Sequence, residues 1–378
     1  MQPQYELADV LNAHWQELQQ SARLNSWQWR TLDAVRRCRT AGLGAHVDGC
    51  TSCGHLRISY NSCRNRHCPK CQGVQREQWI RAREQELLPV PYFHVVFTLP
   101  DALNQLCLHK PSEMYNILFQ TAWSVLNSFC KDSKWLGAQG GMIAILHTWG
   151  QTLSLHPHLH CIVPGGGLTK RGKWKIAKTN GKYLFSVKAM SKVFRGRFIA
   201  ALKEQLPQYM PAALINELYK NEWVVFAKRP FNGPESVIEY LGRYTHKIAI
   251  SNHRIKNIRE GEVSFSYKDY RSGAATKEMT LDPVEFTRRF ALHILPKGFV
   301  RIRHYGILSS TSKAASAVVI KDQLPAIQTA IVGRQELYNP LQCPCCKKDS
   351  MQTILRFTRR GPPTGWKQLA ATILECIA

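Results

Sequence analysis

The segment His156-Pro157-His158-Leu159-His160 gathers imidazoles at a spacing that can do metal chemistry. On a β-strand alternate side chains share a face, so His158 and His160 point one way and Leu159 points into the core. Two neutral imidazoles on one face can share a metal ion. If residues 142–149 pair antiparallel with this strand, His147 falls roughly opposite His160 and Gln151 lies in the connecting turn. Either can supply a third ligand. Such a set leaves coordination positions for phosphate oxygens and water, and Mg²⁺ or Mn²⁺ there would polarise a scissile phosphate. The plain alternative is a half-buried strand whose histidines only pack and hydrogen-bond.

Tyr240 and Tyr244 stand four residues apart in a segment that reads as a helix starting at Pro234. Their phenols then lie on one face and can reach one site. A tyrosine that attacks a phosphodiester forms a phosphotyrosyl link, which keeps the bond energy for later rejoining. Arg243, His246 and Lys247 crowd the same helix and can neutralise a strand backbone or assist the leaving oxygen. A packed aromatic face is the competing reading. Tyr267 and Tyr270 form a second close pair, in a turn-rich segment where no helix aligns them, and read as structural or base-stacking.

Cys50-x-x-Cys53 and Cys68-x-x-Cys71 are two knuckles separated by residues 54–67, a spacing that suits one tetrahedral structural zinc. Four thiolates close the coordination shell, so that ion has no position for a reactive water. Cys38, His46, Cys63 and His67 remain in the same segment and can form a second, interleaved Zn²⁺ site, with His55 competing for either cluster. Arg57, Arg64, Arg66 and Lys70 would present cations to phosphates around the metal. Cys343-Pro-Cys-Cys346 near the other end reads as part of a flexible, reduced tail, with a metal knuckle as the alternative.

The elements that must hold these groups follow from hydrophobic period. Residues 93–99 read as a buried strand, and Met114, Ile117, Leu118, Val125, Leu126 and Phe129 repeat at helical spacing after it. Residues 142–149 and 158–163 read as an antiparallel pair, stopped by Pro164 and the glycines behind it. A basic helix around 188–205, a strand at 223–226 and the Pro234 helix complete a mixed α+β sheet region. Beyond it, 263–267 alternates like an edge strand, and Asp282-Pro283 caps a helix that carries Phe286, Phe290 and Ile294 and is over by Pro296. These patterns divide the chain into 1–88, helical and zinc-binding; 89–255, catalytic; 256–340, an α/β extension; and 341–378, a Cys-rich basic tail.

The 378 residues exceed one ordinary domain of about 100–200 residues. Lys plus Arg number 51 against 26 Asp plus Glu, a net charge of +25 that points to a polyanionic partner. The basic residues are spread along the chain, so the charge belongs to folded surface and not to a disordered arm. No apolar run reaches the 18 or so residues of a spanning helix, and residues 1–6 lack the features of a signal peptide. A cytoplasmic, nucleoid-associated protein with no membrane contact is expected. An odd count of 13 cysteines with C-x-x-C spacing fits reduced, metal-binding thiols.

Taken together, the Cys50 knuckle, the run from Tyr60 through Cys63 and His67 to Cys71, the His156–His160 strand followed by Gly165–Gly167, and Tyr240-x-x-x-Tyr244 resemble the two-tyrosine HUH transposases of the insertion-sequence-91 type. The resemblance spans nearly the whole chain. It implies a zinc-binding N-terminal domain and an HUH nuclease domain with a ferredoxin-like or RRM-like antiparallel sheet and flanking helices. It also implies rolling-circle transposition through single-stranded DNA at the element ends and target. On it, His158 and His160 are the metal ligands of the HUH strand, and Tyr240 and Tyr244 are alternating nucleophiles. Replication initiators and relaxases share this chemistry, and a zinc module that only binds nucleic acid is the non-enzymatic rival.

Overall fold

In this computed structural model, residues 3–71, 80, 87–178, 184–227, 231, 248–259, 261–324 and 339–377 are described. The N-terminal helical pattern forms α1 (Leu7–Ala13), α2 (Trp15–Ser21) and α3 (Ser26–Arg36), followed by the hairpin strands β1 (Ala45–Cys50) and β2 (Leu56–Tyr60). The β-branched run forms β3 (Tyr92–Thr98), and the helical repeat behind it gives α4 (Asn104–His109) and α5 (Pro111–Lys131). Then come β4 (Gly141–Trp149), β5 (Leu155–Pro164), the short pair β6 (Gly166–Leu168) and β7 (Trp174–Ile176), α6 (Val187–Gln205), α7 (Ala212–Lys220) and β8 (Val225–Ala227). The remainder holds β9 (Ile255–Arg259), β10 (Glu262–Asp269), β11 (Ala275–Leu281), α8 (Pro283–Ala291), β12 (Ile302–Gly306), α9 (Lys313–Lys321), β13 (Met351–Phe357) and α10 (Trp366–Ile377).

A five-stranded antiparallel sheet in the order β12-β4-β5-β3-β8 is the centre of an α+β molecule. Strand period sorts its side chains. Phe93, Val95 and Phe97 of β3, Ala144 and Leu146 of β4, and Leu159, Cys161 and Val163 of β5 enter one core with Ile117, Leu118, Val125 and Leu126 of α5 and Phe194 and Phe198 of α6. On the opposite face Tyr92, Ile143, Ile145 and Ile162 are covered by Leu87, Val90, Ile307, Leu308 and Ile320. That apolar cover stops short of one end of β3, β4 and β5, where the same face carries histidines. The glycine run after Pro164 has a steric reason, since a Cβ on Gly167 would collide with the backbone carbonyl of Gln139, which pairs with Leu168.

The helices α1–α3 share a core with β10 and α8. Leu7, Leu11, Leu18, Leu32 and Val35 pack with Val263, Phe265, Phe286 and Phe290. Trp27 Nε1 and Gln28 Nε2 donate to the carbonyls of Leu295 and Ala291. Asp282 caps α8 as its sequence suggests, accepting from the amides of Val284 and Glu285. Strand β10, which alternates like an edge strand, is the centre of the three-stranded sheet β11-β10-β9. One face of it packs against α8, and this produces the alternation.

The C-terminal segment differs from the flexible tail expected of its composition. Strand β13 pairs antiparallel with β1 to make the sheet β13-β1-β2, and Phe357 packs with Ala45, Val47 and Trp366. Both ends of the chain thus build one small module. No local pattern announces this, because the pairing spans some 300 positions of sequence.

Candidate functional site

The register of the central sheet assembles the histidines. Strand β5 runs between β4 and β3, with His147 facing His158, Ile145 facing His160, and Val96 and Thr98 facing His160 and His158 from the other side. His147 therefore stands opposite His158, two positions from the pairing expected with His160. The ladder shifts between His147 and Trp149, and the turn is shorter than the sequence suggested because β5 begins at Leu155. All three side chains still share one face, and their ligand nitrogens lie within 4.8 Å of one another.

The geometry within this group fits a divalent cation. His158 Nε2 and His160 Nε2 are 3.2 Å apart. Two nitrogens in adjacent positions about 2.1 Å from one ion would be about 3.0 Å apart. His158 Nδ1 donates to the His156 carbonyl at 2.6 Å, which turns its Nε2 lone pair towards His160. His94, 3% exposed on β3, places Nε2 2.9 Å from His160 Nδ1. With His160 as donor in that contact, two Nε2 lone pairs converge, and a cation between them relieves the repulsion. The His147 ring stacks on Trp149 at 4.6 Å, which holds the third imidazole against the strand.

Of the two candidates for a third ligand, His147 lies with His158 and His160, and Gln151 is hydrogen-bonded elsewhere. Gln151 Oε1 accepts from the Lys268 amide at 3.4 Å, and its carbonyl accepts from Arg254. Those bonds fasten the β4–β5 turn to β10 and to the residue ahead of β9. His94 was not anticipated from sequence. Its only signal is alternation, since an even position on β3 shares the face of His158 and His160. Tyr240, Tyr244 and Lys247 lie outside the described residues.

The cysteines divide differently from the sequence pairing. Cys68 and Cys71 do not join Cys50 and Cys53; they converge with Cys38 and Cys63, while Cys50 and Cys53 converge with Cys343 and Cys346. In the first group Cys71 Sγ is 3.5 Å from Cys38 Sγ and 3.6 Å from Cys63 Sγ. Tetrahedral sulfurs about 2.3 Å from zinc are about 3.8 Å apart. Hydrogen bonds from the thiols of Cys38, then Cys63 and Cys68, push Cys71 far below the usual thiol range, whereas contacts headed by Cys38 raise Cys63 and Cys68. Neither His46 nor His67 belongs to this set. His46 Nε2 lies 3.6 Å from Asp48, and His67 is buried beside Arg301, Arg66 and His293, where desolvation holds it neutral down to about 3. His55 contributes its backbone carbonyl to the Cys50 amide and is in neither cysteine group.

Residues 141–315 match a family model described as "Putative transposase", and residues 10–99 match one described as "Transposase zinc-binding domain". The first match contains β4, β5 and their histidines, and the second contains Cys38, Cys63, Cys68 and Cys71. The chain is 42% identical over 390 residues to the "Putative transposase y4qJ" of Sinorhizobium fredii, a match that covers 96% of this chain and 98% of that protein. It is 30% identical over 315 residues to the transposase for insertion sequence element IS801 of Pseudomonas savastanoi pv. phaseolicola, covering 79% of this chain and 74% of that one. No solved structure matches. Among the described residues no helix is long and apolar enough to cross a membrane.

Proposed function

The chain belongs to the family of insertion-sequence transposases that includes the IS801 enzyme, and from that premise we propose that it cuts and rejoins single-stranded DNA through 5′-phosphotyrosine links in rolling-circle transposition. The observation that carries this reading is the convergence of His147, His158 and His160 on one face at the end of the central sheet. A group of three imidazoles with His158 partly exposed leaves coordination positions that suit a scissile phosphate better than a structural ion, whose shell would be closed. Bound there, Mg²⁺ or Mn²⁺ would withdraw charge from the phosphate. Imidazole nitrogen favours the transition ion over Mg²⁺.

The chain's own groups do the rest. His94 and the His156 carbonyl orient the ligand nitrogens of His160 and His158. A phenol oxygen of Tyr240 or Tyr244 attacks phosphorus, the bond to the 3′ oxygen breaks, and that oxygen takes up a proton as the phenol loses one. The energy of the broken ester is kept in the tyrosyl ester, so a free 3′ hydroxyl can reverse the step and no nucleotide cofactor is needed. Two tyrosines allow one strand end to be held while a second is cut. Lys247, three positions beyond Tyr244 in the sequence, would help neutralise the strand.

The test is a denaturing-gel assay of the full chain with labelled single-stranded element ends and Mn²⁺ or Mg²⁺, comparing wild type with Tyr240→Phe, Tyr244→Phe and the double variant. A covalent adduct that needs the metal, persists in at least one single variant and vanishes in the double variant is expected. Tight binding with neither adduct nor cleavage would leave a zinc-dependent DNA-binding module as the better account.

A further inference from the structure

We propose that Cys50, Cys53, Cys343 and Cys346 form a second structural zinc site, built jointly by the two ends of the chain. The four sulfurs converge from segments nearly 300 positions apart, with Cys50 Sγ 3.6 Å from Cys346 Sγ and Cys53 Sγ 3.7 Å from Cys343 Sγ. Those separations are close to the edge of a zinc–sulfur tetrahedron, about 3.8 Å, and far from the disulfide length of about 2.05 Å. Nothing in the zinc-binding family match reaches the second pair, since that match ends at residue 99.

An independent observation is that the two pairs sit on the same turn. In the first, the Gly54 amide donates to the Cys50 carbonyl, the Cys50 amide donates to the His55 carbonyl, and Gly54 has φ +73°. In the second, the Lys347 amide donates to the Cys343 carbonyl, the Cys343 amide donates to the Lys348 carbonyl, and Lys347 has φ +63°. Each turn projects its first and fourth residues, both cysteines, towards the other turn. For Lys347 the left-handed conformation is unfavourable without a compensating contact. Zinc coordination supplies one. Ser350 Oγ, 3.0 Å from Cys50 Sγ, adds a hydroxyl that can donate to a thiolate. Beyond the turns, the pairing of Cys50 with Met351 begins the β1–β13 ladder, so the ion would fasten the C-terminal segment at the point where that ladder starts.

This inference is independent of the cleavage chemistry, and zinc content tests it. Full-length protein purified under reducing conditions is expected to carry two zinc ions per chain by elemental analysis. Cys343→Ser/Cys346→Ser is expected to carry one, whereas Cys345→Ser and Cys376→Ser, at exposed positions outside both groups, keep two. Alkylation of the wild type, mapped by mass spectrometry, gives a readout that does not depend on a variant folding. Cys343 and Cys346 should be protected until a chelator is added, while Cys345 is labelled throughout. A single zinc in both wild type and double variant, or chelator-independent labelling of Cys346 at the rate of Cys345, would overturn the proposal.

Discussion

At the scale of single residues, His94 is the group whose role the structure makes most specific. It meets the imidazole of His160 at 2.9 Å from a position 3% exposed, and on the proposed function it fixes which His160 nitrogen would be presented to the ion. Removal of such a supporting partner typically costs about 10–100-fold in metal affinity. His94→Ala is therefore expected to raise the Mn²⁺ concentration for half-maximal adduct formation by that factor and to recover activity at saturating metal, measured by titration in the gel assay. Loss of activity that no metal concentration restores would show that His94 does more than position His160. The sequence names His158 and His160 because their spacing is local. His94 and the choice of His147 over Gln151 depend on which strands pair, and in what register.

At the scale of elements, the β4–β5 turn is held by a buried histidine from beyond α8. His293 Nε2 donates to the Leu153 carbonyl at 3.1 Å, and its Nδ1 lies 3.2 Å from the Thr148 hydroxyl. Trp149, the stacking partner of His147, lies against the same ring. Burial lowers His293 from 6.5 to about 4, and buried His67 beside it is lowered to about 3. Both folded-state values lie below the unfolded value, so as pH falls the unfolded chain takes up protons first and stability declines below about 6.5. The His293 share of that decline is complete near pH 4. His293→Gln is expected to show a smaller drop in urea midpoint between pH 7 and 5 than wild type. An unchanged drop would assign the pH dependence to other groups. Helix and strand positions follow from local period, as in α5, where Met114, Ile117, Leu118, Val125 and Leu126 are all buried. The central place of β10 does not, because an alternating strand reads the same at an edge and in the middle when one face is solvated.

At the scale of the whole molecule, a net charge of +25 on 378 residues makes the surface a counter-charge for a phosphate backbone. For single strands the logarithm of affinity falls with the logarithm of salt at a slope of about −0.7 per phosphate neutralised. With about three or more phosphates held, binding of single-stranded element ends should weaken more than about tenfold for a fourfold rise in salt. Fluorescence anisotropy checks this, and an affinity insensitive to salt would mean that the charge is not used on DNA. Pairs such as Arg57 with Asp48, 3.0 Å apart, are already subtracted in that net figure.

The sequence by itself determined the α+β class, the family, the strand that carries His158 and His160, and the presence of clustered cysteine ligands. Each of these rests on spacing within a few residues, where side-chain direction follows from helix or strand period. Only the tertiary structure decided which cysteines share a cluster, that His147 and His94 complete the histidine group, and that β13 closes on β1. Those depend on contacts between segments far apart in the chain, whose register is set by the burial of whole faces and leaves no trace in local spacing.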